Sequence, residues 1–445
     1  MSTYLLCATP AHGHVMPLLQ VATHLAAGGH RVLFLTSSRY APRIAAAGVE
    51  FRALPDAADV DLDDAASVPG RAGLTGPAAI RFDMLHLFLR PGAAQLAALR
   101  ALLADTPVDA ILTEPLFVGA ALLVETPRAV RPPIVALGIF PLGIASRDTA
   151  PFGLGIPPRA GWTGRLRNAA LAIASRRLVF APVAREADAI ARHELGHPLG
   201  RFFLDWHSAA DAVVQFTVSE FEYPRSDLPP HVTFVGALPP AASAAAAGDL
   251  PDWWSELSGT RPVVHVTQGT VANSDLGQLV LPTIAGLGGS APLVVVSTGG
   301  APVARVPGPL PENVRVAPYL PYDLLLPRVD VMVTNGGYGG VQQALRHGIP
   351  LVVAGRTEDK VEVSARVAWS GVGIDLRTNT PAPDAVAAAV RRVQGEPGFR
   401  ARAASLARAF RAAPGLAGLD AVLDQVGPAG TEADPIESFA RRGVR

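Results

Sequence analysis

A histidine, an acid and a run of glycines carry the chemistry legible in this chain. His14 lies in Ala11-His12-Gly13-His14-Val15-Met16-Pro17, where a short apolar run gives way to helical spacing. An imidazole at such a junction faces the end of a sheet, and free imidazole, with a pKa of about 6.5, takes a proton near neutral pH. Glu114 closes the apolar run Asp109–Glu114, which reads as a strand ending at the same edge. A carboxylate there orients an imidazole ring and stabilises its protonated form, as in base–orienter pairs. The plainer alternatives are a helix-terminal histidine that only packs and a solvated strand-end acid.

The second constellation is Val331 to Leu345, Val-Met-Val-Thr-Asn-Gly-Gly-Tyr-Gly-Gly-Val-Gln-Gln-Ala-Leu. It reads as a buried strand, a glycine-rich turn and the start of a helix. Backbone N–H groups and the positive end of a helix dipole converge at such a turn, which suits a diphosphate. Asn335, Gly336, Gly337, Gly339 and Gly340 would form one wall, and Gly269 with Thr270, after the strand Pro262–Thr267, the other. Gln343, one helical turn further on, is placed to reach a ribose hydroxyl. Tyr319 and Leu320 flank a nucleobase or belong to the core. Glu358 and Asp359, with Lys360 beside them, follow the strand Leu351–Ala354 and accept hydrogen bonds from sugar hydroxyls or form a solvated acidic loop.

Those residues need two α/β units to hold them. Tyr4–Thr9, Pro10–His14, Val15–Ala27 and Arg31–Thr36 read as strand, turn, helix and strand, a βαβ opening with a right-handed crossover expected. Asp109–Glu114 and Pro133–Leu137 continue it as strands. Residues 56–77 and 141–162 read as long loops of the kind that form lids or substrate walls. Residues 237–250 carry almost no charge and look like a linker. Further strands are expected at Leu293–Ser297, Val314–Ala317, Val329–Thr334 and Leu351–Ala354, then Arg-rich helices over 383–411. The expected fold class is α/β, two doubly wound Rossmann-like domains facing across a cleft. The domains would span 1–236 and 261–426, with a linker at 237–260 and a tail at 427–445 that packs back on the N-terminal domain.

Composition narrows the partners. With 38 acids against 38 Lys+Arg, the chain offers no electrostatic case for nucleic acid or an anionic membrane. Cys7 is the single cysteine, so no internal disulfide forms. The N-terminus lacks a basic region followed by a long apolar run, and no stretch holds about 18 uninterrupted apolar residues, so no secretory signal or spanning helix is expected. A cytoplasmic location is expected; oligomeric state is not legible.

His193-Glu194-Leu195-Gly196-His197 matches H-E-x-x-H, in which two histidines one helical turn apart share zinc. Pro198 directly follows and would strain or end that helix, and Phe203 stands where the longer zinc motif needs a third histidine. A nicotinamide-dependent oxidoreductase lacks its Gly-x-Gly-x-x-Gly helix opening. A non-catalytic binding protein of the same fold and a hydrolysing nucleotide-sugar epimerase are further alternatives.

Taken together, the motifs resemble the nucleotide-sugar-dependent glycosyltransferases of the UDP-glycosyltransferase superfamily, bacterial macrolide-glycosyltransferase type, with the GT-B fold. The resemblance spans nearly the whole chain. It rests on Gly13-His14-Val15-x-Pro17 with Gly29-His30-x-Val32, on Glu222-Tyr223-Pro224 with Phe234-Val235-Gly236, and on residues 318–376. The last include Tyr319-Leu320-Pro321, Gly336-Gly337, Ala344-Leu345, Gly348-x-Pro350, Asp359, Arg366-Val367 and Gly371-x-Gly373.

The resemblance implies an inverting transfer from a nucleoside-diphosphate sugar, UDP- or dTDP-linked, to a hydroxyl of a small natural-product-like acceptor. It implies His14 as general base, Glu114 as its partner and no metal or other cofactor. The acceptor would lie in the N-terminal domain among Phe82, Phe88, Phe117 and Phe140, and the donor in the C-terminal domain. The chain departs from the family pattern in five places. Asn335 replaces a histidine, Gly340 a Ser or Thr, Gln343 a glutamate, Glu114 an aspartate, and Lys360 the glutamine of an Asp-Gln pair. Lys360 would then meet an acidic or unusual sugar, or point to solvent.

Overall fold

The computed structural model describes residues 1–62, 68–240, 250–270, 273 and 275–427. Two parallel sheets organise the chain. The first runs in the order β3-β2-β1-β4-β5-β6-β7, with β1 Thr3–Cys7, β2 Arg31–Thr36, β3 Glu50–Ala53, β4 Ala110–Thr113, β5 Ile134–Gly138, β6 Ala212–Gln215 and β7 Val232–Phe234. The second runs β10-β9-β8-β11-β12-β13, with β8 Val263–Thr267, β9 Leu293–Ser297, β10 Val314–Ala317, β11 Val331–Thr334, β12 Leu351–Val353 and β13 Gly373–Asp375. Every pairing is parallel.

The sequence forces this arrangement through burial on both faces. Leu-Leu-Cys in β1, Ala-Ile-Leu-Thr in β4, Val-Val-His-Val-Thr in β8 and Val-Met-Val-Thr in β11 are buried throughout. Continuous apolar runs of this kind suit central parallel strands covered by helices on both sides. Leu5, Cys7 and Ile111 enter one core layer of the first sheet, and Leu6, Leu112 and Val135 the other. The outer strands β3 and β7 are only half-buried, so their apolar signal is weak; sequence patterning passed over them, and also over the short strands β6, which is fully buried, and β13.

In each sheet the strand order reverses once, between β1 and β4 and between β8 and β11. Connections leave such a point in opposite directions and open a crevice beyond the strand ends, where open α/β sheets take ligands. His14 follows β1, Glu114 follows β4, Gly269 follows β8 and Asn335 follows β11.

The final helix departs from the expected division of the chain. Leu416–Val426 lies on the first sheet, with Leu419, Val422 and Leu423 in the same core layer as Leu6 and Leu112. His24 Nε2 meets the Asp420 carboxylate at 2.9 Å, and the Gly415 N–H donates to Val235 O at 2.7 Å. The chain therefore returns to its first unit before residue 427. The expected packing of the tail falls outside the described residues, as do residues 63–67 of the first long loop and 241–249 of the linker.

Among the described residues one helical stretch, Gly76–Asp105, is long and apolar enough to cross a membrane by length and composition. The apolar runs had suggested none. Its Leu87, Leu89, Leu96 and Leu99 are buried against the protein, and 39% of its most apolar window is buried.

Candidate active site

The turn after β1 delivers His14 onto the first coil of helix His12–Ala27. Glu114 lies just past the neighbouring strand β4, and its carboxylate stands 3.0 Å from His14 Nδ1. Glu114 is fully buried, yet each of its oxygens is satisfied. Oε1 accepts from the Thr9 N–H at 3.1 Å and from the Thr9 hydroxyl, and Oε2 accepts from the Leu116 N–H at 2.7 Å. Burial alone would raise the Glu114 pKa, but the facing imidazole and these donors together hold it below the usual carboxylate value. His14 keeps 18% of its side chain exposed. Nδ1 is the nitrogen turned to the carboxylate, so the ring presents Nε2 on its opposite edge.

The second switch point is built around Asn335. Its Nδ2 donates to Gln268 O at 2.5 Å, which ties the end of β11 to the turn after β8. Its Oδ1 accepts from the Gly337 N–H at 3.3 Å. Gly336 between them sits at φ +83°, a left-handed conformation that any side chain would strain. Helix Tyr338–Arg346 starts immediately after, and a Cβ placed on Gly339 would meet nothing within 4 Å. The first N–H groups of a helix have no partner inside it, so this end faces the crevice with donors and a positive dipole. Gly269 lies beside Asn335, with φ +76°, and Thr270 is exposed next to it. The structure thus brings the two expected diphosphate walls together.

Asp359 lies near enough to His14 for the imidazole to lower its pKa, although burial dominates and pushes it up to about 6. Gln215 of the first unit reaches Tyr338, at the start of the glycine-rich helix, at 3.2 Å, so the first unit stands against that helix. Lys360 is buried rather than pointing to solvent, and burial brings its ammonium down to about 8. Its Nζ contacts Glu358, which adopts φ +54°.

Two expected contacts are corrected. The Phe117 side chain is fully buried in the core of the first sheet, so it cannot line an acceptor pocket. It precedes the short buried helix Val118–Leu123 and turns inward with it. The Leu320 side chain likewise enters the core of the second sheet, while Tyr319 beside it is 64% exposed. Phe140 is the aromatic at the histidine, with ring centroids 6.3 Å apart, and Phe152 lies 5.9 Å beyond it. Phe82 stacks on His86 at 4.2 Å, and Phe88 is half-buried on the same helical stretch.

Sequence reading missed how the glycine-rich helix is fastened to the first unit. Gln215 Nε2 donates to the Tyr338 hydroxyl at 3.2 Å, and Gln342 Nε2 donates to Phe216 O at 2.8 Å. Gln343 Nε2 donates to Leu238 O at 2.8 Å, joined there by Arg346 at 3.1 Å. Gln343 thus spends one amide N–H on the linker. The interleaved polar residues Tyr338, Gln342 and Arg346 were the available signal, and it was masked by the glycines.

The zinc motif does not form a helical pair. Helix Ala181–Leu195 ends at Leu195 and closes on Gly196, so His197 lies outside it. His193 Nδ1 meets Glu194 at 2.9 Å and is 85% exposed. Among the described residues no three His, Cys, Asp or Glu cluster as metal ligands.

Known proteins resemble this chain over nearly its whole length. Residues 294–420 match the erythromycin biosynthesis protein CIII-like C-terminal domain family. The chain is 41% identical to the 4'-demethylrebeccamycin synthase of Lentzea aerocolonigenes, over 95% of this chain and 97% of that protein. It is 32% identical to UDP-glycosyltransferase 2 of Phaeomoniella chlamydospora, over 96% of each. The solved glycotransferase of kitacinnamycin superposes with a TM-score of 0.72 at 22% identity, covering 96% of this chain and 98% of that one.

Proposed function

We propose, for a chain that belongs to the glycosyltransferases of the UDP-glycosyltransferase superfamily and has their GT-B fold, the following transfer. A sugar moves with inversion from a nucleoside-diphosphate donor to a hydroxyl of a small natural-product-like acceptor. That the protein is a glycosyltransferase acting on an acceptor follows from its relatives. The donor nucleotide, the acceptor and the residue roles are our reading.

His14 Nε2 takes the proton of the acceptor hydroxyl. The hydroxyl oxygen attacks the anomeric carbon from the face opposite the diphosphate. The new C–O bond forms as the bond to phosphate oxygen breaks, and that electron pair leaves with the diphosphate. Glu114 keeps the His14 ring in the tautomer with Nδ1–H and stabilises the imidazolium that results. The N–H groups at Gly337–Gly340, with the turn at Gly269 and Thr270, meet the charge on the leaving diphosphate. No metal is assigned in this scheme. Tyr319 and Gln343 Oε1 serve the nucleoside, and Glu358 and Asp359 serve the sugar hydroxyls. Lys360 faces Glu358 and does not require an acidic sugar. UDP is the first donor nucleotide to try, because a relative carries it in its name; dTDP is the second. A cytoplasmic enzyme of small molecules suits the neutral net charge.

The observation that carries this reading is the 3.0 Å His14–Glu114 pair standing at one switch point opposite the glycine-rich helix at the other. The test couples binding to turnover. UDP, dTDP and GDP are compared by thermal shift, and the matching sugar nucleotide is then assayed with apolar hydroxylated acceptors. His14→Ala is expected to keep donor binding and lose transfer by about 10²-fold or more. Near-wild-type turnover in that variant would remove His14 from the role of base.

A further inference from the structure

We infer that Glu362, on the donor-binding unit, is a positioning residue for the acceptor pocket of the other unit. It latches the loop that carries Phe152. This inference rests on the proposed acceptor site beside His14 and Phe140.

Glu362 lies on helix Lys360–Trp369, one turn after Asp359. Its Oε1 accepts from two backbone N–H groups of the opposite unit, Gly153 and Gly155, each at 2.8 Å. Its Oε2 accepts from Arg366 Nη1, also at 2.8 Å. Arg366 is 1% exposed and reaches across to Glu222, with Nε and Nη2 at 2.9 and 2.8 Å. The Glu222 Oε1 in turn accepts from the Leu142 N–H at 2.9 Å, at the start of the same loop. The Tyr223 ring lies under the guanidinium at 4.2 Å. The two glutamates raise the Arg366 pKa against the pull of burial. Both ends of the segment Leu142–Gly155 are thus held by one buried network that includes donor-unit side chains.

The fit is close at Gly155. Its φ is +59°, and a Cβ there would stand 2.7 Å from a Val361 methyl carbon. Only glycine lets the backbone approach the helix so closely. Phe152, between the two fixed points, packs on Phe140, which packs on His14. A network linking Arg366, Glu362 and two backbone amides is worth far more intact than partly broken, because a buried charge left unpaired is costly. The acceptor wall is therefore complete only when the donor unit occupies this position.

Two variants break the latch from opposite sides. Glu362→Gln removes the charge, and Gly155→Ala obstructs the loop without touching the charges. Each is expected to raise the acceptor KM by about tenfold or more, the loss of one charge-assisted contact. The donor dissociation constant, measured by calorimetry, should stay near that of the wild type. The double variant should cost less than the product of the two single effects, since both remove one interaction. Hydrogen exchange at Gly153 and Gly155 should be faster in Glu362→Gln than in the wild type, whether or not an acceptor has been found. Unchanged exchange there overturns the latch even if transfer is confirmed. Faster exchange with no transfer from any donor leaves the latch standing and overturns the catalytic reading instead. Donor and acceptor constants worsening equally in both variants would reduce Glu362 to a structural role and overturn the inference.

Discussion

The Glu114 carboxylate stands 3.0 Å from Nδ1 of His14, although the two residues, which follow neighbouring parallel strands, are 100 positions apart in the sequence. The pairing is a product of strand order. β1 and β4 are adjacent in the sheet, with Cys7 opposite Thr113, so residues leaving their ends must meet. The longer glutamate side chain still finds its place because Thr9 and Leu116 supply donors for it.

Glu114→Gln should test what that carboxylate does. The glutamine oxygen keeps both Thr9 donors when it takes the place of Oε1, and its NH2 then replaces Oε2 and faces His14 Nδ1. Nδ1 must become the acceptor and the proton moves to Nε2, the tautomer that cannot act as base. We expect kcat to fall about 10²–10⁴-fold with little change in donor affinity. A steady-state comparison with a titration of the nucleoside diphosphate checks both halves. Acid stability should change too. The folded-state pKa of Glu114 lies below its ordinary value of 4.5, so its contribution is present above that value and is lost as pH falls through the lowered one. The variant should lack that loss in an acid melt series.

Asn335→Ala should weaken donor binding more than acceptor binding. The side chain joins Gln268 O to the Gly337 N–H, so its removal loosens both walls of the proposed diphosphate site at once. About 1–3 kcal/mol of donor affinity is at stake, since a part-buried carbonyl loses its partner. Calorimetry with UDP or dTDP gives the answer. Equal donor affinity in the variant and the wild type would count against the phosphate role.

The paired switch points were legible because their signals are local. A strand, a glycine turn and a helix start occupy some fifteen consecutive residues at Val331–Leu345. The longer central strands β1 and β8 announce themselves by burial on both faces, whereas the equally buried β6 is only four residues long and gave no separate signal. What stayed hidden depends on distant chain segments. Glu50–Ala53 and Val232–Phe234 are half-buried outer strands with no clean period. Phe117 and Leu320 are apolar residues beside polar turns, and nothing local separates a pocket wall from a core residue. The ties of Gln342 to Phe216 and of Glu362 to Gly153 span 126 and 209 positions. No spacing rule reaches across a linker. The return of Leu416–Val426 to the first sheet is of the same kind, an amphipathic helix whose partner is named only by the fold.

Chelation should leave transfer unchanged. The segment His193–His197 carries the letters of a zinc site, but its helix ends before the second histidine. Dialysis against EDTA, and separately His193→Ala, are each expected to give wild-type rates. A loss of activity that zinc alone restores would return this segment to consideration.

The last prediction concerns Asp359, where binding and stability pull apart. Burial raises its pKa from 3.8 to about 6 in the ligand-free protein, with the His14 charge opposing the rise. A raised carboxyl binds its proton more tightly folded than unfolded. Its contribution is therefore favourable below about 4 and is lost as pH climbs through about 6. At neutral pH the ionised carboxylate costs stability, at most about 3 kcal/mol for two pKa units, and about 1–2 kcal/mol once partial exposure is allowed for. Asp359→Asn should then melt higher than the wild type at pH 7.5 and no higher at pH 4. The same change should weaken the sugar nucleotide while sparing the bare nucleoside diphosphate, because only the sugar hydroxyls are proposed to reach this carboxylate. In the wild type, sugar-nucleotide affinity should fall as pH drops through about 6, while affinity for the bare diphosphate should not follow that step. Parallel titrations of the two ligands across that range decide the matter. A common pH profile, or a variant that binds both ligands equally well, would remove Asp359 from the sugar site.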